Sequence, residues 1–247
     1  MKAGGRPKRR KPVRYRAKDS RSLTRRSLSV FAEVLITLGL VLVLFVVYQF
    51  WWTNVTAGQL ASKAQIDLRQ AWRATSTPAP EPTSFSVGDP IGVLHVPAMG
   101  KDFTVVVKEG TTTGVLNEGV AGHYTSPVES ALPWEGPGNF ALAAHRDGHG
   151  AKFHNIDKLK PGDTIVLETE RNWYIYQVDR TLPKTSKTDV GTIAAVPAKA
   201  GYTEPGHYIT LTSCTPVFTS LYRIIVWGHL VDTLPTDPQH FLPAALL

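Results

Sequence analysis

From Val30 to Trp52 the chain reads VFAEVLITLGLVLVLFVVYQFWW, twenty-three residues with one charge, Glu33, and no proline. A helix of that length rises about 30 Å or slightly more, enough to cross a bilayer. Tyr48, Trp51 and Trp52 close the run with the aromatic side chains that collect at a membrane–water boundary. Ahead of it, residues 1–26 hold twelve Lys or Arg against a single acid, Asp19. That segment therefore carries +11 of a net +7, and the remaining residues carry −4. The high pI of 9.5 describes a tail. Beside a membrane span, such a tail marks the cytoplasmic side and argues against nucleic-acid binding. A cleaved signal peptide is the competing reading, but the run is too long and no small-x-small site follows its aromatic end. The expectation is a single-pass protein of the plasma membrane, with its N-terminus cytoplasmic and its C-terminal part extracytoplasmic.

The expected organisation is a basic tail over 1–29, a transmembrane helix over 30–52 and a juxtamembrane stalk over 53–85. A folded domain over 86–234 and a C-terminal tail over 235–247 complete it. Ala57 to Arg73 has helix-favouring composition and fits either a short helix or a loose stalk. Ser76 to Pro82 (STPAPEP) is an extended spacer by its three prolines. Beyond it come short apolar runs punctuated by Gly, Pro and Asp: 92–96, 103–107, 139–144, 164–169, 173–181, 208–213 and 222–231. Seven or eight strands predict a mainly β fold, a closed barrel or a sandwich, because closure removes exposed edges. Short helices fit over 111–118 and 151–159, the second stopped by Pro161-Gly-Asp. The strand-free interval Pro183 to Gly206 is read as a substrate-binding wall or a surface insertion.

Chemistry enters through the one cysteine. Cys214 ends the run Tyr208-Ile-Thr-Leu-Thr-Ser-Cys214, Arg223 opens the next run, and His145 ends Asn139-Phe-Ala-Leu-Ala-Ala-His145. A lone cysteine cannot make an internal disulfide, and in an oxidising exterior it is either buried or used. Three strand ends can deliver a thiol, an imidazole and a guanidinium to one spot, a set suited to acyl transfer. Alternation puts Thr212 on the face of Cys214 and Ser213 on the opposite one, and the backbone N–H of Thr215 is a candidate oxyanion donor. His145, His149 and His154 have spacing that can collect a metal, but Gly148 and Gly150 break any helix that would align them, so no metal site is expected. His123 is a candidate pocket residue, Trp134 a packing group near the cleft, and Glu81 to Ser86 a segment able to fold over the site.

Ala144-His145-Arg146 after an apolar strand, Thr210-Leu-Thr-Ser-Cys214 and Tyr222-Arg223-Ile-Ile-Val resemble the sortase signature, in the order His, Cys, Arg. Gly88-Asp-Pro-Ile-Gly92, Gly122-His123-Tyr124, Pro137-Gly-Asn-Phe-Ala-Leu142 and Lys160-Pro-Gly-Asp163 extend the resemblance over 86–232, nearest to class E of high-GC Gram-positive bacteria. Two departures, Ser213 for the commoner threonine and Ala144 for the commoner glycine, leave the trio intact. The resemblance implies an eight-stranded sortase-type β-barrel and a cysteine transpeptidase without metal or organic cofactor. It implies attack by Cys214 on the Thr-Gly bond of an LPxTG- or LAxTG-like sorting signal, acid–base work by His145 and oxyanion or substrate binding by Arg223. Ala143, Tyr124, Thr212, Ser213 and Thr215 are the implied substrate-binding residues. The partners implied are sorting-signal-bearing surface proteins and lipid II or another peptidoglycan-precursor amine. A pilin-polymerising enzyme and a non-catalytic domain that binds cell-wall components are the alternatives.

Overall fold

A computed structural model describes residues 20–74, 80–237, 239 and 241–246, so most of the basic tail and the first half of the proline-rich spacer lie outside the described residues. The chain divides into two units, Met1–Tyr48 and Gln49–Leu247. One helix, α1 (Ser20–Ala74), contributes to both. Between residues 25 and 48 its apolar side chains are exposed on every face, Val30, Phe31, Leu35, Leu40 and Phe45 among them, a pattern consistent with a membrane anchor.

The second unit begins with the rest of α1. Here Ala57, Ala61, Ala64, Leu68 and Trp72 recur every three or four residues and form one apolar stripe. The eight strands are β1 (Pro90–His95), β2 (Thr104–Glu109), β3 (Ala121–His123), β4 (Gly138–Ala143), β5 (Thr164–Glu168), β6 (Asn172–Ser186), β7 (His207–Thr215) and β8 (Tyr222–Pro235). They close into a barrel in the order β1-β2-β3-β4-β7-β8-β6-β5. Leu94, Val105, Val107, Phe140, Leu142, Leu167, Tyr176, Ile209, Leu211 and Val226 fill its interior. Strand β3 has three residues, too few to show alternation, and nothing in the residue pattern marks it.

The stripe on α1 covers the outside of β1 and β2. Leu68 joins Val93, Val106, Val115 and Val120 in a second apolar cluster, with Ala64 and Trp72 packed against it. Residues 57–73 are thus part of the folded body and not a loose stalk. Gly119 makes the closest approach: a Cβ there would lie 2.9 Å from the Ala57 carbonyl oxygen, and its φ of +74° suits glycine. Further along, both Arg69 guanidinium nitrogens (Nη1, Nη2) donate to the Glu168 carboxylate at 2.8 and 2.7 Å. His95 Nε2 bonds the same carboxylate at 2.8 Å, so a fully buried acid is held by a guanidinium and an imidazole. Burial alone would push the Glu168 carboxyl up; the His95 hydrogen bond and the Arg69 charge outweigh it and hold the group below its ordinary value.

Three further expectations need correction. The helix expected over 111–118 shrinks to α2 (Thr113–Leu116), capped by the Thr112 hydroxyl on the Val115 amide. The one expected over 151–159 is a single 3-10 turn, Ile156–Lys158, because His149, Gly150 and Ala151 all take positive φ and turn the chain instead. The interval before β7 is shorter than expected, since β6 runs on to Ser186 against Tyr222 of β8.

Candidate active site

Strands β4 and β7 run parallel, with Ala143 paired to Thr212. Parallel strands end on the same side, so His145, two residues past β4, comes beside Cys214 near the end of β7. Strands β7 and β8 are antiparallel, and Cys214 is the direct partner of Arg223. Directly opposed residues put their Cβ atoms about 5 Å apart on one face. Alternation settles which face: Leu211, Ile224 and Val226 point into the barrel, so Cys214 and Arg223 point out.

Cys214 and His145 line a cleft of about 510 Å³ with Arg146, Asp147, His149, Phe218, Thr219 and Ser220, closed on one side by Gln49 and Thr53 of α1. The thiol is free and half-buried. His145 Nε2 donates to Asn117 Oδ1 at 2.8 Å, which leaves Nδ1 as the acceptor. Burial and the neighbouring His149 ring, 5.2 Å away, hold the His145 pKa below its ordinary value of 6.5, against a smaller opposing pull from Asp147. A neutral imidazole is thus the resting form near pH 7 and is able to accept a proton. Arg223 lies at the exposed end of β8, where its Nη1 donates to the carbonyls of Ser220 and Tyr222 at 3.3 and 3.1 Å.

Beneath these residues sits Arg146, 5% exposed. Its Nη2 pairs with Asp157 at 2.9 Å, and its Nη1 reaches the Cys214 carbonyl at 3.5 Å and Thr215 Oγ1 at 3.3 Å. It ties the segment after β4 to the end of β7 from behind. Arg146 stood in the sequence motif without a role. Asn117 gave no signal at all, because its meeting with His145 depends on how α2 packs beside β4.

The expected substrate-binding residues divide. Tyr124 OH contacts Thr212 Oγ1 at 3.0 Å, and Thr212 Oγ1 also donates to the Leu142 carbonyl, so Thr212 faces outward but is itself buried, and Tyr124 and Ala143 are the accessible part of the outer floor of β4 and β7. Ser213 does not join them: it faces inward, 3% exposed, and donates to the Ala144 carbonyl at 2.7 Å. Thr215 is partly exposed, with its hydroxyl taken by Arg146. The segment 187–206 stands over the same floor. Trp227 Nε1 donates to the Thr192 carbonyl and Asn139 Nδ2 to the Ala194 carbonyl, at 2.8 and 2.9 Å, so it is fastened to the outer face of the barrel.

Other candidates lie elsewhere. His123 pairs with Glu109 at 2.8 Å and lines a separate cleft of about 370 Å³, together with Thr83 to Phe85. Trp134 packs there on Phe85 and Tyr174 and donates to the Pro82 carbonyl. Glu81 accepts from Thr169 and Asn172. The segment 81–86 therefore packs away from Cys214 and does not cover it. Among the described residues no three His, Cys, Asp or Glu side chains converge as a metal site would.

The family model for the sortase domain matches residues 94–231. The chain is 49% identical to Sortase SrtE2 of Streptomyces coelicolor over 224 residues, 89% of this chain and 88% of that protein. It is 43% identical to Sortase SrtE1 of the same organism over 205 residues, 82% of this chain and 57% of that protein. Among solved structures, Sortase E1 from Streptomyces coelicolor with a tripeptide in its active site superposes with a TM-score of 0.61 at 42% identity, covering 65% of this chain and 98% of that one. The SrtA sortase from Actinomyces oris gives 0.57 at 30% identity over 69% and 94%.

Proposed function

The chain belongs to the sortase family of cysteine transpeptidases, and we propose that Cys214 is its nucleophile, His145 its proton carrier and Arg223 the group that meets the oxyanion. The observation that carries this reading is the strand register: Cys214 opposes Arg223 directly, and the parallel β4–β7 pair ends with His145 at the same rim.

In this mechanism a peptide lies on the floor formed by Ala143 and Tyr124, with the buried Thr212 beneath it, against the wall 187–206. The class that fits is the C-terminal sorting signal of a surface protein, of LPxTG or LAxTG type; the tripeptide held by Sortase E1 supports a peptide in this position. The Cys214 sulfur attacks the threonyl carbonyl carbon as its proton passes to the neutral His145 imidazole. The carbonyl oxygen becomes an oxyanion beside the Arg223 guanidinium. The C–N bond then breaks, His145 gives its proton to the departing glycyl amine, and a thioester remains on Cys214. An amine of a peptidoglycan precursor attacks that thioester, loses a proton to His145 and forms the new amide as the thiol is restored. No step calls for a metal or organic cofactor.

Membrane anchoring by residues 30–52, with the N-terminus cytoplasmic and the barrel outside, brings the enzyme to such substrates. The working unit under this reading runs from about residue 49 to 235, since the docked part of α1 closes one side of the cleft. The test is cleavage of a fluorogenic sorting-signal peptide by the full chain. Cys214→Ala is expected to abolish it, and His145→Ala and Arg223→Ala each to remove most of it while thermal unfolding stays unchanged. Undiminished cleavage by Cys214→Ala would refute the nucleophile assignment.

A further inference from the structure

We propose that the connection from β7 to β8, Phe218 to Leu221, is a membrane contact that sits among lipid headgroups beside Trp51 and Trp52; this rests on the anchored reading above. The connection presents two large apolar side chains to the outside: Phe218 is 83% exposed and Leu221 64%. It is a built projection and not a slack tip. Phe218 has a φ of +64°, a left-handed conformation that a bulky side chain adopts only when its surroundings impose it. Its amide donates to Asp147 Oδ2 at 2.6 Å, and the Thr219 amide and hydroxyl both donate to the Pro216 carbonyl.

Its place in the fold sets what it meets. Phe218 lines the same cleft as Gln49 and Thr53, which bracket Trp51 and Trp52 on α1. Both tryptophans are about half exposed, at 59% and 47%, the disposition of side chains that mark a headgroup layer. From Thr53 the helix then runs the length of the barrel. Asn54 accepts from the Gly150 amide, Gln65 meets Thr104, and Arg69 reaches Glu168 at the far end. Sixteen residues of helix span about 24 Å. The β7–β8 end of the barrel is thus the end at the tryptophans, and the β5–β6 turn, with Arg171, is the end away from them. Lys184, whose Nζ lies 3.8 Å from the Tyr222 ring centroid, adds a cation at the same rim for lipid phosphates. The arrangement seats the mouth of the Cys214 cleft at headgroup depth, where a lipid-linked amine arrives without leaving its leaflet.

The test uses the full chain as Cys214→Ala, which removes its one cysteine. Single cysteines at Phe218→Cys, Leu221→Cys, Trp52→Cys and Arg171→Cys, each carrying a nitroxide, are placed in vesicles of phosphatidylglycerol and phosphatidylcholine. Collision with oxygen, which concentrates in lipid, is compared with collision with a water-soluble nickel chelate. The expected result is an oxygen-to-nickel ratio at 218 and 221 several-fold above that at 171 and close to that at 52. Labels at 218 and 221 that match 171 while 52 reads as lipid would overturn the proposal and leave the anchored reading standing. An aqueous reading at 52 as well would remove both. Low collision with both reagents at 218 and 221 would also overturn it, in favour of a protein partner or a second copy on this surface.

Discussion

Replacing Arg69 with alanine tests whether the docked helix and the barrel are one folding unit. The Glu168 side chain has no exposure and Arg69 is 28% exposed, so the pair joins a buried anion to a cation reachable by water. Removing one partner of a fully buried pair costs about 3–5 kcal/mol. Two features lower that figure here: the guanidinium is partly solvated, and His95 remains on the carboxylate. A loss of roughly 2–3 kcal/mol is expected, which for a body of this size lowers Tm on the order of 5–10 °C. Because the carboxyl is held below its ordinary value in the folded state, its contribution is complete at neutral pH and fades as acid protonates it in the native protein. The gap between wild type and Arg69→Ala should therefore narrow as pH falls through that depressed value. The assay is thermal unfolding of the full chain in detergent, followed by tryptophan fluorescence, to which Trp173 contributes from beside His95, with ring centroids 5.6 Å apart. Glu168→Gln and the double variant complete a cycle whose coupling should recover most of the loss. A Tm within a degree of wild type, or a coupling near zero, would refute the reasoning and leave α1 a tether that touches the barrel without stabilising it.

Two further outcomes are expected. Asn117→Asp places a carboxylate against His145 and raises the imidazole pKa, so the acid limb of kcat/KM moves up from its position below 6.5; an unmoved limb would exclude His145 as the titrating group. Asn139 is 1% exposed and joins the Ala194 carbonyl to the Thr210 hydroxyl, so Asn139→Ala should cost about 1–3 kcal/mol and raise both KM and amide exchange over 187–206. Unchanged exchange there would mean that Asn139 is not what holds the wall, leaving that to Trp227 and to the Tyr202–Asp179 and Thr185–Asp189 contacts.

Much of the barrel is legible because its strands are separated by Gly, Pro and Asp, and the trio is legible because each member closes or opens an apolar run. The docked helix is also written in the sequence, though in its partner. Val93 and Leu94, and Val105 to Val107, are apolar at consecutive positions, which a strand with one face in water does not sustain. Those runs ask for a cover outside the barrel, and the stripe from Ala57 to Trp72 supplies it. Small alanines make that stripe look like generic helix composition. The turn over 148–151 is hidden because positive φ at His149 and Ala151 is imposed by the packed surroundings and not by side-chain type. Asn117 and Arg146 act through tertiary contact, to which neither spacing nor periodicity points.

The parallel β4–β7 pairing separates what can vary from what cannot. His145 and Cys214 are brought together by six consecutive pairings between Gly138–Ala143 and His207–Thr212, while everything between the two strands in sequence leaves the rim and returns to its other end. The distance between His145 and Cys214 is therefore set by a ladder, not by the length of chain that links them. Segments such as 187–206 can lengthen, shorten or change composition without altering that distance. On the mechanism proposed above, a lineage built on this barrel can trade one peptide for another through its wall while inheriting the reaction unchanged.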